Sequence, residues 1–316
     1  MEFLVTGATG FIGPYVIREL LDKGEKVIAS DAYPNVNILG EISDKLKIHT
    51  LNILEKDKLF RMAEENSVDF IIHLAALRNI DSQKKPLEAF NLNCQGMVNI
   101  LEVARQTKVK RVVYASSVAV YGSPSYYRQL NIDPFNLNED APPNPHNFYG
   151  ATKLFNEHLG KQYYNIYGVD SIGVRLSIVY GPGKKAGSKT SELNEIIEGP
   201  ILGKPIFVKT YNDQKINLQY VKDAARALVN TCYAEDPSFR VYNTGGQNCT
   251  MREVARSVSE LIPKAMIKII ENVEERPVAS AVDIGRARRD LKYEPLFLLE
   301  RAIKDYIELL KMVDQD

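Results

Sequence analysis

Cysteine is scarce in this chain of 316 residues. Cys94, Cys232 and Cys249 are odd in number and widely spaced, which excludes a disulfide framework and a zinc knuckle and fits a reducing compartment. An excess of charge is missing too. Forty Lys plus Arg balance forty Asp plus Glu, so no net field favours nucleic acid or an anionic membrane, and any charged partner must be recognised locally. No apolar run approaches the roughly 18 residues of a membrane span, and no basic segment precedes the first apolar run, so a soluble cytoplasmic protein is expected. Among the few histidines, His49, His146 and His158 lack ligand spacing and no acidic cluster accompanies them, so no metal is expected; His73 ends an apolar run and reads as core. Internal repeats and low-complexity tracts are also absent.

What is present is an alternation. Residues 3–5, 26–30, 47–51, 69–75 and 111–116 are short apolar runs with the look of buried parallel strands. Between the last two, Leu87, Phe90, Cys94, Met97, Leu101 and Ala104 recur at three- and four-residue spacing, predicting one helix with one apolar face. Strands alternating with helices predict an α/β fold built on a doubly wound parallel sheet. Residues 123–147 are rich in Pro, Asn, Ser and Asp without either period and predict a long loop, the kind that often serves as a lid or binding loop. A helix follows from about Tyr149, a strand at 171–176, and a Gly- and Lys-rich loop at 180–189. Beyond it Gly and Pro break the rhythm, predicting a smaller second lobe over 181–316 with segments near 215–245 returning to the sheet of residues 1–180.

Three groups of residues carry chemistry. The segment TGATGFIG at 6–13 follows a strand and opens a helix, where bare backbone and unpaired N–H groups suit a pyrophosphate. Gly7, Gly10 and Gly13 thus predict a dinucleotide site, although their spacing is G-x-x-G-x-x-G and an ordinary Gly-rich turn is the plain alternative. Asp31 closes the second strand, where a carboxylate accepts both ribose hydroxyls and repels a 2′-phosphate. With no Lys or Arg between Asp31 and Lys45, NAD is expected over NADP; the alternative is an Asp that merely opens a turn. Tyr149 and Lys153 stand four residues apart on one helix face, so that the ammonium can favour the phenolate and make Tyr149 an acid/base, with Ser116 or Ser117 at the preceding strand end holding the reacting oxygen.

With these residues in place the chain resembles the extended short-chain dehydrogenase/reductases, which include nucleotide-sugar epimerases and dehydratases. The resemblance runs through TGATGFIG, HLAA at 73–76, NCQG at 93–96, YASSVAVYG at 114–122, YGATK at 149–153, VRLSIVYGPG at 174–183 and YNTGG at 242–246. It implies a Rossmann-type sheet that binds NAD, with a smaller C-terminal substrate-binding lobe. It further implies that Phe11, Ile12, Asn52, Ile53, Ala75, Ala76, Leu77, Ser116 and Leu176 line the cofactor and that Asn93 supports the site. Ser117 and Tyr149 would touch the reacting oxygen, Lys153 the nicotinamide ribose, and Arg78, Val118, Ser177 and Lys184 the substrate. Homodimers built through the helices near 86–106 and 149–167 are implied by the same analogy.

The departures narrow the reaction. Val118 and Ala119 follow Ser117 where dehydratases carry an acid. Ile178 and Ile216 replace an Asn and an Arg that hold the nucleotide diphosphate, and Arg276 remains without the acid that normally follows it. Cationic candidates for a substrate anion are Arg78, Arg175 and the lysines 184, 185 and 189, the last three equally readable as a solvated loop. A dehydrogenase acting on a free sugar, sugar acid or similar small molecule is favoured, with a nucleotide-sugar 4-epimerase as the alternative. A non-catalytic NAD sensor would have no need of Ser117, Tyr149 and Lys153 together.

Overall fold

The computed structural model describes residues 1–183, 191–276, 278 and 281–313. From the N-terminus the chain runs through β1 (Glu2–Thr6), α1 (Gly13–Asp22), β2 (Lys26–Asp31), β3 (Lys47–Thr50), α2 (Lys56–Glu65), β4 (Phe70–His73), α3 (Asn79–Lys84), α4 (Pro86–Phe90), α5 (Gly96–Gln106), β5 (Arg111–Ser117), α6 (Pro124–Gln129), α7 (Phe148–Tyr167) and β6 (Ser171–Leu176). The remainder adds β7 (Ile178–Tyr180), α8 (Ser191–Ile201), β8 (Ile206–Lys209), β9 (Ile216–Tyr220), α9 (Val221–Tyr233), β10 (Val241–Asn243), β11 (Gln247–Cys249), α10 (Met251–Leu261), β12 (Ile267–Ile270), α11 (Gly285–Leu291) and α12 (Leu299–Val313). Seven parallel strands form the central sheet in the order β3-β2-β1-β4-β5-β6-β10. This is the doubly wound, Rossmann-type sheet expected from the sequence.

Continuous apolar runs make these strands because the sheet is covered on both faces. Along β1, Phe3 and Val5 enter one core with Val16, Ile17 and Leu20 of α1, while Leu4 enters the other with Leu59 of α2 and Ile100 of α5. Strand order reverses between β1 and β4, which opens a crevice at the C-terminal strand ends, where ligands bind in sheets of this type. After β6 the chain leaves the sheet to form two small ones, β11-β9-β7 and β12-β8, then returns as α9, packed on α1, and as β10, paired with β6.

Two sequence expectations needed revision. The helix expected across Leu87 to Ala104 is broken by a π-turn at Asn91–Gln95. One wider turn rotates the register, so Cys94, Met97, Leu101 and Ala104 are buried while Leu87 is 73% and Phe90 48% exposed. The expected loop at 123–147 contains α6, capped by the Ser123 side chain, which accepts from the Tyr126 N–H. Its Tyr127 is fully buried edge-on to Tyr121, and the phenol donates to the Pro142 carbonyl at 2.9 Å. The segment is thus anchored at its start by a buried aromatic that its polar composition hid, and from residue 130 to 147 it is loop, as expected. Among the described residues no helix is long and apolar enough to cross a membrane.

Helix α7 starts at Asn147, whose side chain accepts from the Gly150 N–H at 2.8 Å, and ends at Gly168 in the left-handed conformation. Its first turn lies directly on the short turn after β5: a Cβ at Gly150 would sit 2.1 Å from the Ala119 carbonyl oxygen. Gly150→Ala must therefore lift α7 or distort that turn, and we expect a loss of about 1–3 kcal/mol in denaturant unfolding. An unchanged midpoint would show that the helix is not held by this contact.

Candidate active site

The Gly-rich turn separates internal from external demands on its glycines. Gly7 has φ +68°, and a Cβ there would meet the Ala75 backbone nitrogen at 2.7 Å; a Cβ at Gly13 would meet the Ala8 carbonyl oxygen at 2.2 Å. These two are required by the fold itself. Gly10 is exposed with ordinary φ, and its nearest neighbour would be the Gly7 carbonyl oxygen at 3.1 Å. Packing alone asks little of it, whereas a pyrophosphate drawn against the N-terminus of α1 would need bare backbone there. Phe11 and Ile12 lie in the same turn, partly exposed.

Asp31 takes on the turn duty considered from the sequence and leaves room for the other. Its Oδ2 accepts from the Thr9 backbone N–H at 3.1 Å and from the Thr9 hydroxyl at 2.8 Å, and its Oδ1 accepts from the Tyr33 N–H at 3.3 Å. The carboxylate thus shapes the Gly-rich turn from the neighbouring strand end and keeps lone pairs for a diol. Asn52 is engaged locally, its Oδ1 accepting from the Leu54 N–H at 3.0 Å. Ile53 is buried against Gly96, and its carbonyl accepts from the Asn99 side chain at 2.9 Å.

Ala75, Ala76 and Leu77 continue from β4 into the crevice. Asn93, in the π-turn, clamps this segment: its Oδ1 accepts from the Leu77 N–H at 2.8 Å, and its Nδ2 donates to the Leu77 carbonyl and the Thr152 hydroxyl, both at 3.0 Å. Thr152 in turn donates to the Tyr149 carbonyl at 2.8 Å. A single buried amide therefore fixes the end of β4 relative to α7. His73 beside it bonds the Thr6 hydroxyl at 2.7 Å, and burial pushes its imidazole down to about 3, so it stays neutral and core-like.

Ser117, Tyr149 and Lys153 come together at the end of β5. The Ser117 Oγ accepts from the Ala119 N–H at 3.1 Å, which leaves its own proton free to donate, and it is hydrogen-bonded to the Tyr149 phenol. Burial raises the phenol above its ordinary value, and the Arg78 charge and the Ser117 bond partly offset the rise. The expectation that Lys153 is the charge favouring phenolate is thus revised for the free chain. Lys153 is itself buried and pushed down to about 8, so its amine loses its proton before the phenol titrates. Its Nζ lies 5.5 Å from the Tyr149 ring centroid and makes no hydrogen bond to a described residue, which leaves it open to a sugar hydroxyl.

The other expected contacts divide, with Ser116, Arg175 and Ser177 turned inward by partners of their own. Ser116, read together with Ser117, is buried and donates to Glu157 Oε1 at 2.5 Å, so only its backbone remains for a ligand. Arg175 is also buried, its guanidinium bound to both oxygens of Glu157 at 2.8 and 2.7 Å, and so does not reach a substrate anion. The Ser177 hydroxyl donates inward to the Thr244 carbonyl at 2.8 Å. Leu176 is buried, and Val118 is partly exposed in the turn after Ser117. Arg78, at the N-cap position of α3, is exposed, and its guanidinium bonds no acid among the described residues. The expected anion contact at Lys184, with its neighbours 185 and 189, lies outside the described residues. Sequence reading missed Glu157. The available signal was its place four residues beyond Lys153, on the same face. Among the described residues no three His, Cys, Asp or Glu side chains gather as a metal site.

Comparison with known proteins agrees with this geometry. Residues 3–245 match the family model described as the NAD dependent epimerase/dehydratase family. A UDP-glucuronate 4-epimerase of Thermodesulfobacterium geofontis is 29% identical over 98% of this chain and 98% of its own. The L-threonine dehydrogenase of Clostridium difficile is similar in structure, with TM-score 0.85, 26% identity, and coverage of 99% and 98% of the two chains. The UDP-glucose 4-epimerase of Thermotoga maritima shares the fold at TM-score 0.86 and 23% identity, over 99% of each chain.

Asp31→Ala removes the turn's anchor and the carboxylate facing the expected ribose. It should weaken NAD binding more than NADP binding and so narrow the gap between them, as read by calorimetric titration. Parallel losses for both would reduce Asp31 to a turn residue.

Proposed function

The chain belongs to the NAD-dependent epimerase/dehydratase family, and on that premise we propose that it is an NAD-dependent oxidoreductase oxidising the secondary alcohol of a small hydroxylated substrate, such as a sugar or sugar acid. Residues 1–180 would hold the cofactor and 181–316 mainly shape the substrate. The observation that carries this reading is the state of the cations. Arg276, retained where relatives hold a diphosphate, bonds Glu192 at 2.6 Å and lies 4.0 Å over the Tyr211 ring. Ile178 and Ile216 offer no polar group, and Ile216 is buried. An ion-paired arginine and two aliphatic side chains give a nucleotide diphosphate little to bind. Arg78, whose charge acts on Tyr149 and which bonds no acid among the described residues, would instead suit a carboxylate or phosphate on the substrate itself.

In the proposed reaction Tyr149 takes the proton of the substrate hydroxyl, and Ser117, its acceptor side already used by the Ala119 N–H, donates to the same oxygen. Lys153 Nζ binds the nicotinamide ribose. Bound NAD supplies the hydride acceptor and a positive ring charge, which favours phenolate as the nearby cations do. Buried, free Cys94, Cys232 and Cys249 support a cytoplasmic setting. Exposed Leu87, Phe90, Phe155 and Tyr167 on the two long helical stretches support a homodimer through them.

The full-length likeness to a UDP-glucuronate 4-epimerase favours a second reading, a nucleotide-sugar 4-epimerase that retains its NAD. Incubation with NAD and a panel of sugars, sugar acids and nucleotide sugars separates the two. Steady NADH absorbance supports the dehydrogenase; an epimerised product without NADH supports the other. With the active substrate, Tyr149→Phe should cut turnover about a hundred- to ten-thousandfold, and an unchanged rate would overturn the assigned role. Arg78→Met should raise the substrate KM about tenfold or more while NAD affinity holds. A loss confined to NAD affinity would move Arg78 from the substrate to the cofactor.

A further inference from the structure

Behind the reacting groups lies a buried charge pair that the proposed reaction does not use. Tyr149, Lys153 and Glu157 recur every four residues along one face of α7, and Lys153 and Glu157 are each at most 5% exposed. Glu157 Oε1 accepts from the Ser116 hydroxyl at 2.5 Å and from Arg175 Nε at 2.8 Å, and Oε2 accepts from Arg175 Nη2 at 2.7 Å. Arg175 Nη1 donates to the Tyr121 phenol at 2.7 Å, and that phenol reaches the Asn243 side chain and the Asn138 carbonyl, each at 2.9 Å.

As a brace this network has little to recommend it. A buried Arg–Glu pair loses in desolvation much of what it gains in attraction, and apolar replacements of the whole pair are often neutral or stabilising. Its place next to the reacting row suggests another use. We propose that Glu157 is a positioning residue for Lys153: held rigid by Arg175 and Ser116, its carboxylate is the counter-charge that keeps the buried lysine an ammonium, ready for the ribose of NAD. The same bond to Ser116 fixes the strand end from which Ser117 projects. This inference rests on the NAD-binding reading for its purpose, though not for its measurement.

The groups around Lys153 leave few other candidates. Tyr149 shares its helix face and is held protonated by burial; Cys94 faces it from the π-turn, with its thiol pushed up to about 11; His73 faces it from β4 and stays neutral. Arg175 stands behind Glu157 on β6, and Arg78 acts on Tyr149 from the start of α3. Glu157 is thus the one carboxylate among these described neighbours; burial pulls Lys153 down to about 8, and Cys94 and then Glu157 offset part of that.

The two partners must then act on Lys153 in opposite directions. Glu157→Gln leaves two cations without an anion, so Lys153 should release its proton at lower pH than in the wild type. Arg175→Met leaves the carboxylate to Lys153 alone, so release should move to higher pH. The direct test is the titration of lysine Cε resonances in 13C-labelled full-length protein without cofactor, with Lys153 assigned by its absence in Lys153→Met. Opposite displacements support the inference; superimposable titrations in the three proteins overturn it. Where a single variant fails to fold, the double variant E157Q/R175M, which removes both members of the Arg175–Glu157 ion pair, still decides the matter: Lys153 should titrate below the wild type, and an unchanged titration rejects the role. NAD affinity measured over the same pH range should fall as the lysine loses its proton, by about tenfold or more. Displaced titrations without NAD binding would count against the NAD reading alone.

Discussion

Everything reactive in this molecule depends on how closely α7 lies against the ends of β5 and β6. At Gly150 the helix backbone comes so near the Ala119 carbonyl that no Cβ fits, and at Gly160 a Cβ would stand 2.8 Å from the Tyr114 hydroxyl. Tyr114 lies between that glycine and Gly173 of β6, so one aromatic ring spaces helix from sheet. This distance is set by missing side chains on one partner and a large one on the other. It brings Tyr149 to Ser117, puts Lys153 behind it, and forces Glu157 and Arg175 out of water together. Leaving either of those two charges alone would cost about 3–5 kcal/mol, so close packing and the ion pair impose each other.

The sheet was legible because its code is simple. Strands covered on both faces read as unbroken apolar runs, and all five N-terminal runs became strands within a residue or two of their expected ends. The Gly-rich turn was legible because backbone approach leaves glycine as the only residue that fits. What stayed hidden were features in which one residue has two partners or a helix changes pitch. The π-turn at Asn91–Gln95 leaves hydrophobic spacing almost unaltered, yet it exposes Leu87 and Phe90 and turns the Asn93 amide onto Leu77 and Thr152. The segment at 123–147 looked like open loop because its polar residues outnumber the tyrosine that anchors it. Ser116 and Ser117 are the same residue type in sequence. Strand alternation sends one to Glu157 and the other to Tyr149, and only the fold says which.

Charge was the least legible property of all. Arg78 and Arg175 carry the same group and were both candidates for an anionic ligand, and Arg276 remained where the family pattern has an arginine. The fold gives Arg175 to Glu157 and Arg276 to Glu192, leaving Arg78 beside the tyrosine with no acid partner among the described residues. A paired guanidinium has already given up its hydration and gained its partner, so a second anion gains little from it. An unpaired one beside the reacting groups attracts an anion over a short, partly dehydrated distance. Which cation is free is decided by where acids fall on α7 and α8, far in sequence from each arginine.

The same burial that hides charges also orders the proton holders. It pushes the Tyr149 phenol up and the Lys153 amine down, so the amine, ordinarily the later of the two to lose its proton, becomes the earlier. In the free chain at neutral pH the amine still carries its proton and so does the phenol. In the proposed reaction Tyr149 could then act as an acid as it stands, whereas acting as a base would require more positive potential than Arg78 and Ser117 provide. An oxidised nicotinamide bound beside it would supply that potential and a reduced one would not. The direction in which Tyr149 would move a proton is therefore tied to the oxidation state of what lies beside it, a coupling that follows from placing a phenol, rather than a group that ionises at neutral pH, in a buried site.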